Sequence, residues 1–294
     1  MSRFRINSKR TAVLATFSFV VAILVAQSTG GTNAIQDEQS ADNRPTLWII
    51  GDSTVRNGNA DGVGWGEVID QHFDADRLKV VNCAIGGRSS RTFRLEGRWR
   101  TVLESARPGD FVLIQFGHND GGKPTDPAKP RGSLRGIGDE TLDWHHPQRN
   151  EPETIHTFGW YLRQYIDEAR DAGVTPIVLS YVPRAPRRGE TVRVDSDSTY
   201  RKWSRQVAED RGAAFIDLYG RVAATYAAME AERPHSVKEQ LFVEGDRDYT
   251  HTVLAGAELN AKKVAEGVMD LAGDDARLAL FLKVDATTKP ASSK

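Results

Sequence analysis

Two short segments carry side chains that could do chemistry together. An apolar run ends in Gly51-Asp52-Ser53-Thr54, and near the other end of the chain stands Asp248-Tyr249-Thr250-His251. A serine hydroxyl is a poor nucleophile until a base takes its proton, and the base needs a carboxylate to orient it. Asp248 and His251, a few residues apart in one turn, can supply orienter and base, and Ser53 the hydroxyl. Gly86-Gly87 and Asn119 add backbone N–H groups and a side-chain amide, which can stabilise an oxyanion as it develops. The inventory is that of acyl transfer. Each part also has a plain structural reading. Gly, Asp and Ser are turn residues in their own right, and Asp248 or Thr252 could cap a following helix, although capping leaves His251 unexplained.

These residues must be positioned by the elements around them. Short, largely continuous apolar runs at 46–50, 78–84, 110–116, 175–182 and 213–218 predict strands covered on both faces. Between them, 153–173 carries Ile155, Phe158, Tyr161 or Leu162, Tyr165 and Ala169 at helical spacing, ending at Gly173. A second helix is predicted within 195–212, with Asp and Ser as caps, and a last one within 254–273. Alternating strands and helices predict an α/β fold, a three-layer α/β/α sandwich around a central parallel sheet of about five strands. Ligands of such sheets bind beyond the carboxyl ends of the strands. Ser53, Gly87 and Asn119 each follow a predicted strand, and His251 stands just before the last helix, so all four converge on one edge. Residues 121–153 fit neither period and form a loop rich in Gly and Pro, of a length that is usually functional or disordered.

The chain has 294 residues and a formal net charge of -1, so no global charge points to nucleic acid. Its 39% hydrophobic content can fill a sizeable core. Arg3, Arg5, Lys9 and Arg10 precede the uncharged run 11–26, the pattern of a secretory signal with cleavage after Ala26 or Ala34. An uncleaved amino-terminal anchor is the alternative. The predicted organisation is a signal peptide at 1–34, a linker at 35–44, a catalytic domain at 45–273 and a frayed tail at 274–294. Cys83 is the single cysteine, so no intrachain disulfide forms, and its apolar surroundings predict a buried, unreactive thiol.

The segments GDST, GGRSSRTF, FGHND and DYTHTVLAGAE, in this order between about Thr46 and Gly273, resemble the four blocks of the SGNH (GDSL-type) hydrolases. With GWGE after the first block and GRSSRTF in the second, the wording is most similar to rhamnogalacturonan acetylesterases. The resemblance implies an enzyme that removes acetyl groups from pectin with a Ser-His-Asp triad and no metal or other cofactor. By position it implies Ser53 as nucleophile, His251 as base and Asp248 as orienter. It assigns the oxyanion hole to the N–H groups of Ser53 and Gly87 and the amide of Asn119. The long segment 121–153 departs from the family pattern.

Substrate recognition is less legible. Arg88 and Arg91, with Arg94, follow the second strand, and Arg184 and Arg187, with Arg188, follow the fourth. Arginines around the serine would attract an acidic polysaccharide, and a solvated surface would look the same. Trp65 and Trp144 could stack on sugar rings, although Trp65 between two glycines could equally be packing. Asp52 and His118 read as structural neighbours of the reacting groups. His145, His146 and His156 lack metal-ligand spacing and read as solvated loop residues, while His72 and His235 have no assignment. The expected partner is an acetylated acidic polysaccharide or oligosaccharide, with neither nucleic acid nor, after signal removal, a membrane.

Overall fold

Five parallel strands lie in the order β2-β1-β3-β6-β7. They are β1 (Thr46–Gly51), β2 (Lys79–Asn82), β3 (Phe111–Gln115), β6 (Thr175–Leu179) and β7 (Ala214–Ile216). The computed structural model describes residues 42–283 except 148, 195–198 and 246. The signal-like run and residues 35–41 of the 35–44 linker lie outside the described residues, as do the Asp and Ser caps expected at 195–198. Among the described residues no helix is long and apolar enough to cross a membrane.

Alternation along the strands divides the core into two layers. Leu47, Ile49, Leu113, Ile177 and Leu179 face one side, where they meet α5 (Leu218–Glu232), α6 (Ser236–Leu241) and α7 (Leu254–Met269). Ile50, Val112, Ile114 and Val178 face the other. There they meet α1 (Ser90–Leu95), α2 (Arg98–Ser105), α3 (Phe158–Asp171) and α4 (Thr199–Asp210). Burial on both faces is why these strands read as continuous apolar runs. The expected sandwich is the observed one.

Three expectations about the elements need correction. Residues 121–153 are not one irregular loop, because they carry the strand β4 (Thr141–His146), which pairs antiparallel with β5 (Glu151–His156). Exposed polar residues alternate there with only a few apolar ones, too weak a pattern to show in the sequence. Helix α3 accordingly begins at Phe158, where the Thr157 hydroxyl accepts the Trp160 N–H as an N-cap. Finally, the chain stays packed beyond Gly273. Gly273–Phe281 form a 3-10 helix with Leu278 buried, Leu282 bridges to Phe73, and Phe281 meets Phe111 edge-on.

Candidate active site

Ser53 stands on a turn that begins as β1 ends. Gly51 is dictated by close approach, since a Cβ there would lie 2.7 Å from the Gln115 carbonyl and 2.5 Å from Val55 Cγ2. The next residue, Asp52, turns inward. Its Oδ1 accepts the Thr54 N–H at 2.9 Å and the Thr54 hydroxyl at 2.8 Å, while its carbonyl accepts from Val55 and Arg56. Gln115, at the end of the neighbouring strand β3, donates to Thr54 Oγ1 (2.8 Å) and accepts from Trp65 Nε1 (2.7 Å). Asp52, Thr54, Gln115 and Trp65 thus form a buried chain that fixes the turn under Ser53. Trp65 is fully buried, so it is a core residue and not a surface on which sugar could stack. Glu67 completes the GWGE segment by accepting the N–H groups of Asn57 and Gly64.

Above this turn the three reactive groups lie in line. His251 Nε2 is 2.9 Å from Ser53 Oγ, and His251 Nδ1 is 2.7 Å from Asp248 Oδ2. The other carboxylate oxygen of Asp248 accepts the N–H groups of Thr250 and His251. Burial pushes the Asp248 carboxyl up, but those two N–H groups and the His251 ring outweigh it and hold it below its ordinary value. The capping alternative fails: the N-cap of α7 is Val253, with no side-chain cap, and the Thr252 hydroxyl donates to the Val63 carbonyl. Backbone bonds from Val243 to His251, from Val63 to Thr252 and from Ala185 to Tyr249 tie the His251 segment on several sides.

Besides Ser53, the oxyanion-hole candidates are Gly87 and Asn119, which follow β2 and β3, the strands on either side of β1. Gly86 packs on Ser53, with its Cβ position 3.6 Å from Ser53 Cβ, and Gly87 has φ +80°, a conformation glycine adopts without strain. The Asn119 side-chain amide donates to the Arg88 carbonyl at 2.9 Å. That bond uses one of its two N–H hydrogens and fixes which way the amide faces. β1 lies between β2 and β3, so the loops after these three strands meet where the strand order reverses, as expected for ligand sites in such sheets.

The neighbours that looked structural are so in different ways. His118 lies edge-on to Tyr181. Burial brings its pKa down to about 4, against a raising influence from Asp52 and further lowering by Arg184 and His251. It therefore stays neutral beside the site at ordinary pH. Asp120, whose role no sequence pattern marks, is fully buried and accepts from Ser90 and Ser133. Burial raises it to about 6, with the serine hydrogen bonds opposing. The Cys83 thiol is half-buried and raised by that burial against the pull of Arg56. Of the loop histidines, His145 is exposed, but His146 is buried and His156 stacks on Trp160 at 3.8 Å, so those two are packed and not solvated. Among the described residues, no group of three or more His, Cys, Asp or Glu could hold a metal ion.

The expected substrate residues separate. Arg91 is wholly buried, so it cannot touch a substrate. Its guanidinium is paired with Glu153 at 2.6 Å and donates to the carbonyls of Pro124 and Gly132. Trp144, on β4, covers that guanidinium, with 5.6 Å from ring centroid to Arg91 Cζ. Arg88 bends back to Glu96 and to the Gly86 carbonyl. Arg184 and Arg187 are exposed, and Arg187 lies over the Tyr249 ring beside Asp248. A depression of about 600 Å³ lined by Arg94, Glu96, Trp99, Arg100 and Glu168 includes none of the loops that carry Ser53, Asn119 or His251.

Residues 49–251 match the family model described as GDSL-like lipase/acylhydrolase, a span covering more than half of the chain. The chain belongs to the GDSL-like lipase/acylhydrolase family. Among curated members it is 32% identical over 228 residues to the probable rhamnogalacturonan acetylesterase YesY of Bacillus subtilis, covering 76% of this chain and 93% of that one. It is 28% identical to the rhamnogalacturonan acetylesterase of Emericella nidulans, covering 76% and 84%. The YxiM protein of Bacillus subtilis has the same fold, with a TM-score of 0.58 and 23% identity over 76% of this chain and 56% of that longer one. In this GDSL-like chain the first family block is the Ser53 turn, and the match ends at His251.

Proposed function

We propose that this protein is an exported serine esterase that removes O-acetyl groups from an acidic plant cell-wall polysaccharide, with rhamnogalacturonan as its substrate. The observation that carries the chemistry is the hydrogen-bonded line from Ser53 Oγ through His251 to Asp248. In this reading Ser53 Oγ attacks the acetyl carbonyl while His251 Nε2 takes its proton. Asp248 holds the imidazole in the tautomer that presents Nε2 as acceptor and stabilises the imidazolium. The N–H groups of Ser53 and Gly87 and the amide of Asn119 receive the oxyanion. Collapse of the tetrahedral intermediate expels the sugar oxygen, which takes the proton from His251, and leaves acetyl-Ser53. Water, deprotonated by His251, then releases acetate and restores Ser53.

The substrate class rests on different support. The two curated relatives named above, aligned along most of their lengths, bear the name rhamnogalacturonan acetylesterase. Exposed Arg184 and Arg187 near the triad suit an anionic chain. The basic head and apolar run of residues 1–26 support export. The test is acetate release by the purified protein from acetylated rhamnogalacturonan and from acetylated xylan. A higher kcat/KM on rhamnogalacturonan is expected; equal or greater efficiency on xylan would assign a different polysaccharide.

A further inference from the structure

The loop after Asn119 carries a cation to the oxyanion hole that the motifs do not include. Arg131 Nη1 lies 3.7 Å from the point a Cβ on Gly87 would occupy. N and Cβ are both one bond from Cα, so the guanidinium is within roughly 6 Å of the Gly87 nitrogen. Among the described residues, the Arg131 side chain has no hydrogen bond or ion pair, and it is only half-buried. It differs in this from Arg88, committed to Glu96, and from Arg91, committed to Glu153.

The loop that holds Arg131 is anchored on both of its arms. Buried Arg91 donates to the carbonyls of Pro124 and Gly132, while Glu153 on the β4–β5 hairpin holds Arg91 in place. Ser133 donates through both its N–H and its hydroxyl to Asp120, the residue after Asn119. Gly122 donates to the Asn119 carbonyl, and the Arg131 N–H donates to the carbonyl of Lys129. A guanidinium presented by a fixed backbone loses less freedom on binding than one on a mobile loop. Lys123 and Lys129 outnumber Asp126 in the same loop, so its local charge is positive.

We propose that Arg131 is the specificity-determining residue that receives a substrate carboxylate beside the acetyl ester. The ligand class is a uronate whose carboxylate lies about one sugar ring from the acetylated oxygen, and the planar guanidinium can meet it with two parallel N–H donors. The proposal rests on the reading of the protein as an esterase of acidic polysaccharide. It gives the 121–133 segment a purpose, because Arg91, Glu153 and the hairpin act through this loop and not on the substrate itself.

The test compares kcat/KM on acetylated rhamnogalacturonan oligosaccharides with kcat/KM on the same oligosaccharides after methyl esterification of their carboxyl groups. Wild type should favour the acidic form. Arg131→Gln should lower the acidic-to-neutral ratio by about tenfold, the scale of one charge-assisted contact, mainly through KM. Arg131→Lys should restore part of the ratio, because charge remains while the bidentate geometry is lost. A wild-type preference that persists undiminished in Arg131→Gln overturns the assignment to Arg131 and leaves the acidic-substrate reading intact. Equal losses on both substrates leave the ratio unchanged and overturn it as well. A wild-type ratio of one or less overturns the acidic-substrate reading, and the role of Arg131 with it.

Discussion

Asp248 reaches His251 twice, through a 2.7 Å side-chain contact to Nδ1 and through a 3.0 Å hydrogen bond from the His251 backbone N–H. One carboxylate therefore sets both the ring tautomer and the turn that carries the ring. Asp248→Asn keeps much of the turn but can present an N–H to Nδ1, which favours the wrong tautomer. A fall in kcat of about 10⁴, with little change in melting temperature, is expected. Steady-state kinetics on an aryl acetate check it, and a loss below tenfold would remove Asp248 from the catalytic line.

Asn119→Ala should lower kcat by ~10²–10³ and leave KM nearly unchanged, because in the proposed mechanism its amide serves an oxyanion formed only along the reaction path. The bond to the Arg88 carbonyl shows that the amide is already oriented before substrate arrives. A change confined to KM would make Asn119 a substrate-binding residue instead.

Arg91 and Glu153 give a prediction about stability. The Arg91 side chain is fully buried and that of Glu153 nearly so, and removing Arg91 leaves Glu153 only its longer 3.2 Å contact to the partly exposed Arg149 and strips the Pro124 and Gly132 carbonyls of their donor. Arg91→Met should destabilise the protein by ~3 kcal/mol in denaturant unfolding, the low end for a broken buried pair because Arg149 stays with Glu153. Near-wild-type stability would mean that Arg149 or water replaces Arg91 as the partner of Glu153.

Asp120 makes stability depend on pH in the direction opposite to that of most carboxylates. Its folded pKa is raised to about 6 from an ordinary 3.8. The folded state therefore binds the extra proton between those values. Its contribution is fully present below about pH 3.8 and is lost as pH rises through about 6, a change of up to ~3 kcal/mol. Asp120→Asn retains an acceptor for Ser90 and Ser133 without titrating. The stability of wild type relative to Asp120→Asn should fall between pH 4 and pH 7, followed by urea unfolding at each pH. The comparison cancels the contribution of His118, whose lowered pKa acts oppositely on the acid side. A constant difference across this range would show that Asp120 is ionised throughout.

What the sequence revealed follows the strength of its patterns. Strands buried on both faces gave unbroken apolar runs, so the sheet and the residues at its carboxyl edge were legible. Ser53, Asp248 and His251, which the structure brings into hydrogen-bond contact, stood out because neither a turn nor a helix cap accounts for all three. Arg91 and Trp65 misled because a polar or amphipathic side chain near a site looks the same whether it faces solvent or satisfies buried partners. Arg91 meets Glu153 and two loop carbonyls 33 to 62 residues away, and Trp65 meets Gln115 50 residues away. No local spacing encodes such pairings. Gln115 was hidden inside a strand run, and Arg131 inside a segment with neither helical nor strand period.

The central claim, that Ser53 carries the acetyl group, is tested most directly by acetate release from purified wild type and Ser53→Ala on one acetylated substrate, with folding verified by circular dichroism. Ser53 is half-buried on a turn held by its neighbours, so losing one oxygen should leave the fold intact. The predicted result is a loss of roughly 10⁶ in kcat at unchanged structure. Turnover near the wild-type rate in folded Ser53→Ala protein would contradict the account.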